Sequence, residues 1–252
     1  MPNNDLKVLD LTLATPAENL ACDEVLLDWC EQGGGEVLRF WEPAEYFVVA
    51  GHGNRLATEV NQAACRRRAI PIYRRCSGGG TVLQGPGCLN YSLLLHIPET
   101  GPLATIRGAN QFVMERNRAA VEAALGEQVQ ILGHTDLTVG GRKFSGNAQR
   151  RHRRALLFHG AFLHHFDLGL MGELLAQPSR PPDYRQGRGH DTFLMNLPLS
   201  PALLKQQLQK VWRAGEQSAA LCRDAATDSG LMEKVRLLAK EKYDSAAWNA
   251  KF

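Results

Sequence analysis

The chain has 252 residues, 44% hydrophobic and 22% charged, with a formal charge of +3. That is the composition of a soluble globular protein with a sizeable core, and it excludes disordered and fibrous classes. No apolar run approaches the roughly 20 residues of a membrane span, and the start MPNNDLKVLDLTLA lacks a secretory signal pattern. The six cysteines are scattered, without Cys-x-x-Cys or metal-like Cys/His spacing, and read as reduced thiols of a cytoplasmic protein.

In chain order, Leu6–Leu13 reads as a first strand. Thr15-Pro16-Ala17-Glu18 has the form of a capping box with proline at the first helical position. Leu20, Val25, Leu26 and Trp29 give the helix an apolar stripe, and Gly33-Gly34-Gly35 ends it. Val37–Trp41 and Tyr46–Ala50 read as strands, 59–68 as helix, and Ile70–Arg74 as a strand. Further strands are expected at 90–97, 128–132, 136–139, 142–146 and 156–166, with a long helix over 106–125. The Pro/Gly/Arg-rich stretch 178–199 reads as an irregular crossover, and the chain from Pro201 as mostly helical. Strands come in runs broken by few helices. The expectation is therefore an α+β fold with mixed and antiparallel sheets and flanking helices, in one domain over 1–252.

Three clusters carry candidate chemistry. The first is Arg74-Arg75-Cys76-Ser77-Gly78-Gly79-Gly80-Thr81-Val82. Bare backbone N–H groups in a tight loop form a concave donor site for anions, and two arginines would add charge. No Gly-Lys-Ser/Thr follows and no GxGxxG is present, so neither a P-loop nor a dinucleotide fingerprint fits. A plain glycine-rich turn between strands remains the alternative. The second is Gly140–Gln149, where Lys143 is flanked by small residues that would let a ligand approach its ammonium. The third is Phe158-His159-Gly160, with His159 read as wall or support rather than as a base.

Together these clusters resemble the lipoate–protein ligase family, within the wider group of biotin and lipoate attachment enzymes. The Arg-Arg-x-Ser-Gly-Gly-Gly pattern is followed by Gly87-Cys88-Leu89-Asn90-Tyr91. A second pattern appears as Asp136-Leu137-Thr138 with Gly141-Arg142-Lys143-Phe144-Ser145-Gly146-Asn147-Ala148. Supporting matches are Glu18-Asn19-Leu20-Ala21 with Asp23-Glu24, Arg39-Phe40-Trp41, and Lys242-Tyr243 before Trp248-Asn249. The resemblance implies a biotin/lipoate protein ligase-like catalytic domain. It implies ATP-dependent activation of lipoate to lipoyl-AMP, with Mg2+, and transfer to a lysine of a lipoyl acceptor domain. Lys143 would be the principal catalytic charge, and Arg75 would hold the acyl or phosphate side. Ser77, Gly78, Gly79, Gly80 and Thr81 would wall the pocket, with His159 and Gly160 beside them. Asn90, Asp136, Ser145, Gly146 and Ala148 would bound the nucleotide, while Val82 and Leu163 line the acyl chain. The family's separate C-terminal accessory domain is not expected here, so a separate accessory subunit or a pre-activated acyl donor comes into play.

Two departures from the family pattern stand at the pocket mouth: Cys88 in place of asparagine and Gln84 in place of histidine. The closest rival reading is an octanoyl or lipoyl transferase that takes the acyl group from acyl carrier protein through a cysteine, for which Cys76 and Cys88 are the candidates. A nucleic-acid module is suggested only by Arg150–Arg154, without a supporting motif. A rim of arginines that steers an acidic acceptor domain, or a solvated hairpin, fits that run equally well. Within the crossover, Asp183–His190 is expected to order over the adenylate, with Arg185 and Arg188 near its phosphate.

Overall fold

A seven-stranded sheet with the order β1-β2-β6-β10-β9-β8-β7 organises the molecule, a computed structural model describing residues 6–214 and 229–252. Its strands are β1 Lys7–Asp10, β2 Val37–Trp41, β6 Cys88–His96, β7 Gln130–Leu132, β8 Asp136–Val139, β9 Arg142–Arg151 and β10 Ala155–Leu163. Only β1 and β2 pair in parallel; every other pairing in this sheet is antiparallel. A smaller sheet, β4-β3-β5, is built from β3 Phe47–Ala50, β4 Ile72–Arg74 and β5 Val82–Gln84. The expected α+β class with mixed sheets is what the structure has.

Helices cover both faces. On one face, Phe40, Tyr91, Leu93, Phe158 and Phe162 pack beneath α4 (Ile106–Leu125) and α7 (Pro201–Trp212). Thr105 caps α4 by accepting the Gly108 N–H, and Gly126 closes it in the left-handed conformation at φ 73°. On the other face lies α1 (Pro16–Glu31), whose capping box is the one the sequence predicts. It packs with α8 (Ser229–Leu238) through Leu26, Leu27, Val235, Ala239 and Tyr243. Beyond the end of α1 that face opens into a cleft, with the small sheet on its far side.

Several boundaries differ from the sequence reading. The strand expected over 6–13 ends at Asp10: the Leu11 N–H to the Phe40 carbonyl is the last bond to β2, and the Leu13 N–H turns to the Asn19 side chain. Val82–Gln84, to which the sequence reading gave no bounds, is a strand, since its backbone pairs with β3. β9 continues to Arg151, so Arg150 and Arg151 lie on a strand paired with β10. The helix expected from Glu59 is two short ones, α2 (Leu56–Glu59) and α3 (Gln62–Arg67). Downstream of β10, α5 (Leu168–Leu174) was not anticipated, and the crossover holds the single turn α6 (His190–Phe193). Residues 215–228 of the tail read as helical lie outside the described residues.

The contact that fixes α1 to the sheet is ionic and fully buried. Arg39 on β2 donates from Nη1 to Asp23 Oδ1 at 2.6 Å and to the Asn19 carbonyl at 2.9 Å. Its Nη2 donates to Asn19 Oδ1 and to the Leu11 carbonyl. Arg39→Met should therefore cost about 3–5 kcal/mol in denaturant unfolding, because Asp23 is left buried without its cation, and Asp23→Asn in the same chain should recover most of the loss.

Candidate active site

The shape of the glycine loop follows from strand order. β4 and β5 are not neighbours, since β3 lies between them, so residues 75–81 must arch over the end of β3. Gly51, the first residue past β3, lies under that arch, where a Cβ would collide with the Gly79 carbonyl. The His52 N–H donates to the Ser77 carbonyl at 2.8 Å. Gly79 sits at φ 85°, and a Cβ there would come within 2.9 Å of Arg75 Nη2. Glycine is needed at 51 and 79 for close approach, and at 79 for backbone conformation as well.

The two arginines before the loop do different work. Arg74 is fully buried, and its Nη1 donates to the carbonyls of Gly51, His52 and Asn54 at 2.8–3.2 Å. Its Nε and Nη2 reach the carbonyls of Trp248 and Asn249, while Trp248 Nε1 returns a bond to the Arg74 carbonyl. The charge that the sequence suggested for an anion is spent here on backbone oxygens. Arg75 grips the loop itself: Nη2 donates to Gly78 O at 2.6 Å and Gly80 O at 2.8 Å. Burial pulls its pKa down to about 10, which still leaves it cationic at neutral pH. Trans peptides place C=O and N–H on opposite sides, so turning these two carbonyls toward Arg75 turns the N–H groups of Gly79 and Thr81 away from it.

A second arrangement comes from strand register. Arg39, Ser92, His159 and Ala148 lie side by side across β2, β6, β10 and β9. Asp23 stands over this row. It takes Arg39 on Oδ1, and its Oδ2 accepts from Ser92 Oγ at 2.7 Å with His159 Nδ1 3.8 Å away. Burial would raise its pKa, but Arg39, His159 and Ser92 overcome that and hold it below the usual carboxylate value. His159 Nε2 meets Ser77 Oγ at 2.6 Å, and Ser77 Oγ accepts from Arg75 Nε at 3.0 Å. Ser77 Oγ therefore joins the Arg75 guanidinium to the His159 ring, whose Nδ1 faces Asp23. Arg39, Asp23, His159, Ser77 and Arg75 thus form one polar chain from α1 to the glycine loop.

Across the cleft, Lys143 Nζ pairs with Asp136 Oδ1 at 2.8 Å, and Tyr184 Oη donates to Asp136 Oδ2 at 2.7 Å. Gly146 leaves room for the ammonium, as a Cβ there would be 2.7 Å from Nζ. The cleft encloses about 1710 Å³, and its wall includes Lys143, Arg75, Gly78–Gly80, Thr81, Val82, Asn90, Asp136, Ser145, Gly146, Ala148, His159, Gly160 and Leu163. Ser77 is buried just behind that wall. The cleft's apolar lining includes Leu20, Trp41, Val49, Leu163, Met171, Leu175 and Phe193. The crossover runs along the rim, where Arg188 donates to the carbonyls of Gly141, Tyr184 and Arg185, and Arg185 lies over the Phe193 ring.

The two departures meet in one cluster, in which Cys88 Sγ and Asn90 Nδ2 both donate to Gln84 Oε1 at 3.1 and 2.9 Å. Burial pushes the Cys88 thiol well above its ordinary pKa and takes Cys76 up to about 12. Sequence reading did not single out Ser92, Glu59 or Tyr184. Asp23 and Arg39 stood there only as supporting matches, and it is their buried pairing that gives them a place in the site.

Comparison with known proteins agrees with this construction. Residues 15–198 match the lipoyl protein ligase A/B catalytic domain, so the chain belongs to that family of ligases and transferases. A putative lipoate-protein ligase A of Aeropyrum pernix is 28% identical over 82% of this chain and 74% of its own length. Octanoyltransferase LipM of Anoxybacillus flavithermus is also 28% identical, over 97% of this chain and 98% of its own. Among solved structures, the bi-partite lipoate protein ligase of Thermoplasma acidophilum, described with its E2 lipoyl domain, superposes with TM-score 0.79. It is 20% identical and covers 98% of this chain and 96% of its own. A lipoate-protein ligase A bound with ATP superposes at 0.77, with 21% identity and 98% of both chains covered. At these identities the structural matches speak for the fold.

Gly146→Ala tests the Lys143 geometry. The new methyl meets only the far end of a flexible side chain, so thermal stability should hold within about 1 kcal/mol while the ammonium is pushed off Asp136. On the ligase reading proposed below, acyl transfer should fall about a hundredfold, because the ammonium is displaced.

Proposed function

We propose that this chain is a lipoate–protein ligase acting as a single cytoplasmic catalytic unit, activating lipoate with ATP and passing the lipoyl group to a lysine on an acceptor domain. In the first step a carboxylate oxygen attacks the α-phosphorus of ATP and pyrophosphate leaves. In the second the ε-amine of the acceptor lysine attacks the acyl carbonyl, AMP leaves, and the amine loses a proton. Both steps need donors and cations placed where oxyanion and phosphate charge develops, and neither needs a nucleophile from the enzyme. In this reading the Gly79 N–H and the Lys143 ammonium supply that charge, since both residues line the one cleft. The apolar lining that includes Leu20, Trp41, Val49 and Val82 suits an acyl chain. Burial of about seven methylenes would contribute about 5–6 kcal/mol before ordering costs.

The observation that carries the ligase over the cysteine transferase is the state of the thiols. Cys22, Cys30, Cys65, Cys76 and Cys88 are all buried, and burial raises the pKa of each. Cys88, the one of these on the cleft wall, donates a hydrogen bond to Gln84 Oε1. A thioester intermediate needs an accessible thiol of lowered pKa. Cys222 lies outside the described residues. Magnesium enters with the nucleotide: of the cleft carboxylates Glu59, Asp136 and Asp183, the first two are already engaged by protein donors, and among the described residues no three His, Cys, Asp or Glu side chains gather as a metal cage. The acceptor would be a lipoyl domain protein, and a separate accessory subunit is consistent with the bi-partite relative.

Purified protein given ATP, magnesium and lipoate should release pyrophosphate and, with an acceptor domain, yield lipoyl-lysine detectable by mass spectrometry. Lys143→Ala should reduce the first step by at least 10²-fold. The double variant Cys76→Ala, Cys88→Ala should retain turnover, whereas its loss would select the transferase.

A further inference from the structure

Glu59, at the end of α2, belongs to no motif and has no place in the chemistry above. Its side chain is buried at 4% exposure yet lies on the cleft wall, beside the glycine loop. Oε2 accepts the Thr81 N–H at 3.3 Å, while Oε1 accepts Ser179 Oγ at 2.6 Å and Asn54 Nδ2 at 3.2 Å. Among the described residues no Lys, Arg or His forms a contact ion pair with it, and Arg75 acts on it only as a more distant charge. A buried carboxylate without a contacting cation is costly unless donors replace its water. Burial pushes its pKa upward, but the bonds from Ser179 and Thr81 outweigh this and hold it below the ordinary value.

The Thr81 N–H is one of the two loop donors that Arg75 turns outward by holding the Gly78 and Gly80 carbonyls. A protein carboxylate thus lies on a donor whose geometry suits an incoming anion, and it also tethers the crossover through Ser179. We propose that Glu59 is a resident counter-anion of the glycine loop: it stands in for a nucleotide phosphate at the Thr81 N–H, and phosphate binding displaces it. The inference rests on the nucleotide reading of the cleft. Displacement breaks the Glu59–Ser179 bond in the same event, so phosphate arrival and release of the crossover at residue 179 are one step. Like charges at one donor oppose each other, so the resident carboxylate weakens phosphate binding in exchange for holding the loop in shape.

The test is Glu59→Gln, which keeps the size and an acceptor oxygen for Ser179 while removing the charge. Binding of ATP and AMP is measured by calorimetry, alongside thermal unfolding. The dissociation constant for ATP should fall on the order of tenfold. An unchanged or weaker affinity in a folded variant overturns the inference, because Glu59 would then be a brace or a magnesium contact. If the glutamine variant does not fold, Glu59→Asp withdraws the carboxylate by one methylene and should also tighten ATP, with no gain counting against the proposal. A wild-type chain that binds neither ATP nor AMP sinks the nucleotide reading itself. A wild type that binds both, beside a variant that binds no tighter, sinks the Glu59 assignment alone.

Discussion

The cleft depends on a single buried chain of polar contacts, Arg39–Asp23–His159–Ser77–Arg75. Its members come from α1, β2, β10 and the glycine loop, and each fixes the next. Arg39 keeps Asp23 ionised, Asp23 faces His159 Nδ1, and His159 Nε2 meets Ser77 Oγ. Ser77 then steadies Arg75, which turns the loop carbonyls inward. A loop of three glycines has little conformational preference of its own. Its shape is imposed from outside, by an arginine whose donors are divided among its carbonyls. In the interior each of these bonds is strong if satisfied and costly if broken, so the chain is selective as well as stabilising.

That dependence explains which parts of the molecule could be read from sequence. Local signals were legible: the capping box at Thr15, the long helix before Gly126 and the apolar strands all rest on neighbours within a few residues. The glycine loop and Lys143 were legible because small residues in series mark close approach. Long-range pairing was not. Val82–Gln84 is a strand only because β3 lies beside it, and three residues carry too little pattern to announce that. Glu59 and Tyr184 acquire partners 22 to 120 residues away, and nothing near them in sequence points there. Arg74 misled for a related reason. An arginine beside an anion-binding loop has the right chemistry for a phosphate, yet this one meets five backbone carbonyls first.

Charge is distributed unevenly around the cleft, and the imbalance follows from the fold. Lys143 is balanced by Asp136, and Arg75 is held within the loop it shapes. The arginines at 150 to 154 stand at the open end of β9 and β10, where Arg151 ties back to the carbonyls of Leu103 and Ala104. Arg154 ties back to Glu31, while Arg150 and Arg153 are exposed. Exposed cations beside a hairpin turn attract acidic surfaces over a Debye length.

The clasp of Trp248 and Asn249 on Arg74 joins the first third of the chain to its last residues. Arg74 holds the 51–54 turn, and that turn supports the arch of the glycine loop. A ribosome delivers residue 74 long before residue 249, at a rate of about 5–20 residues per second. For that interval of roughly 9–35 s the nascent chain can form its first strands and helices, but Arg74 lacks two of its carbonyl partners. The machinery of the cleft is therefore completed only as translation of this segment closes, and a shortened message would yield a folded-looking sheet with an unfinished loop.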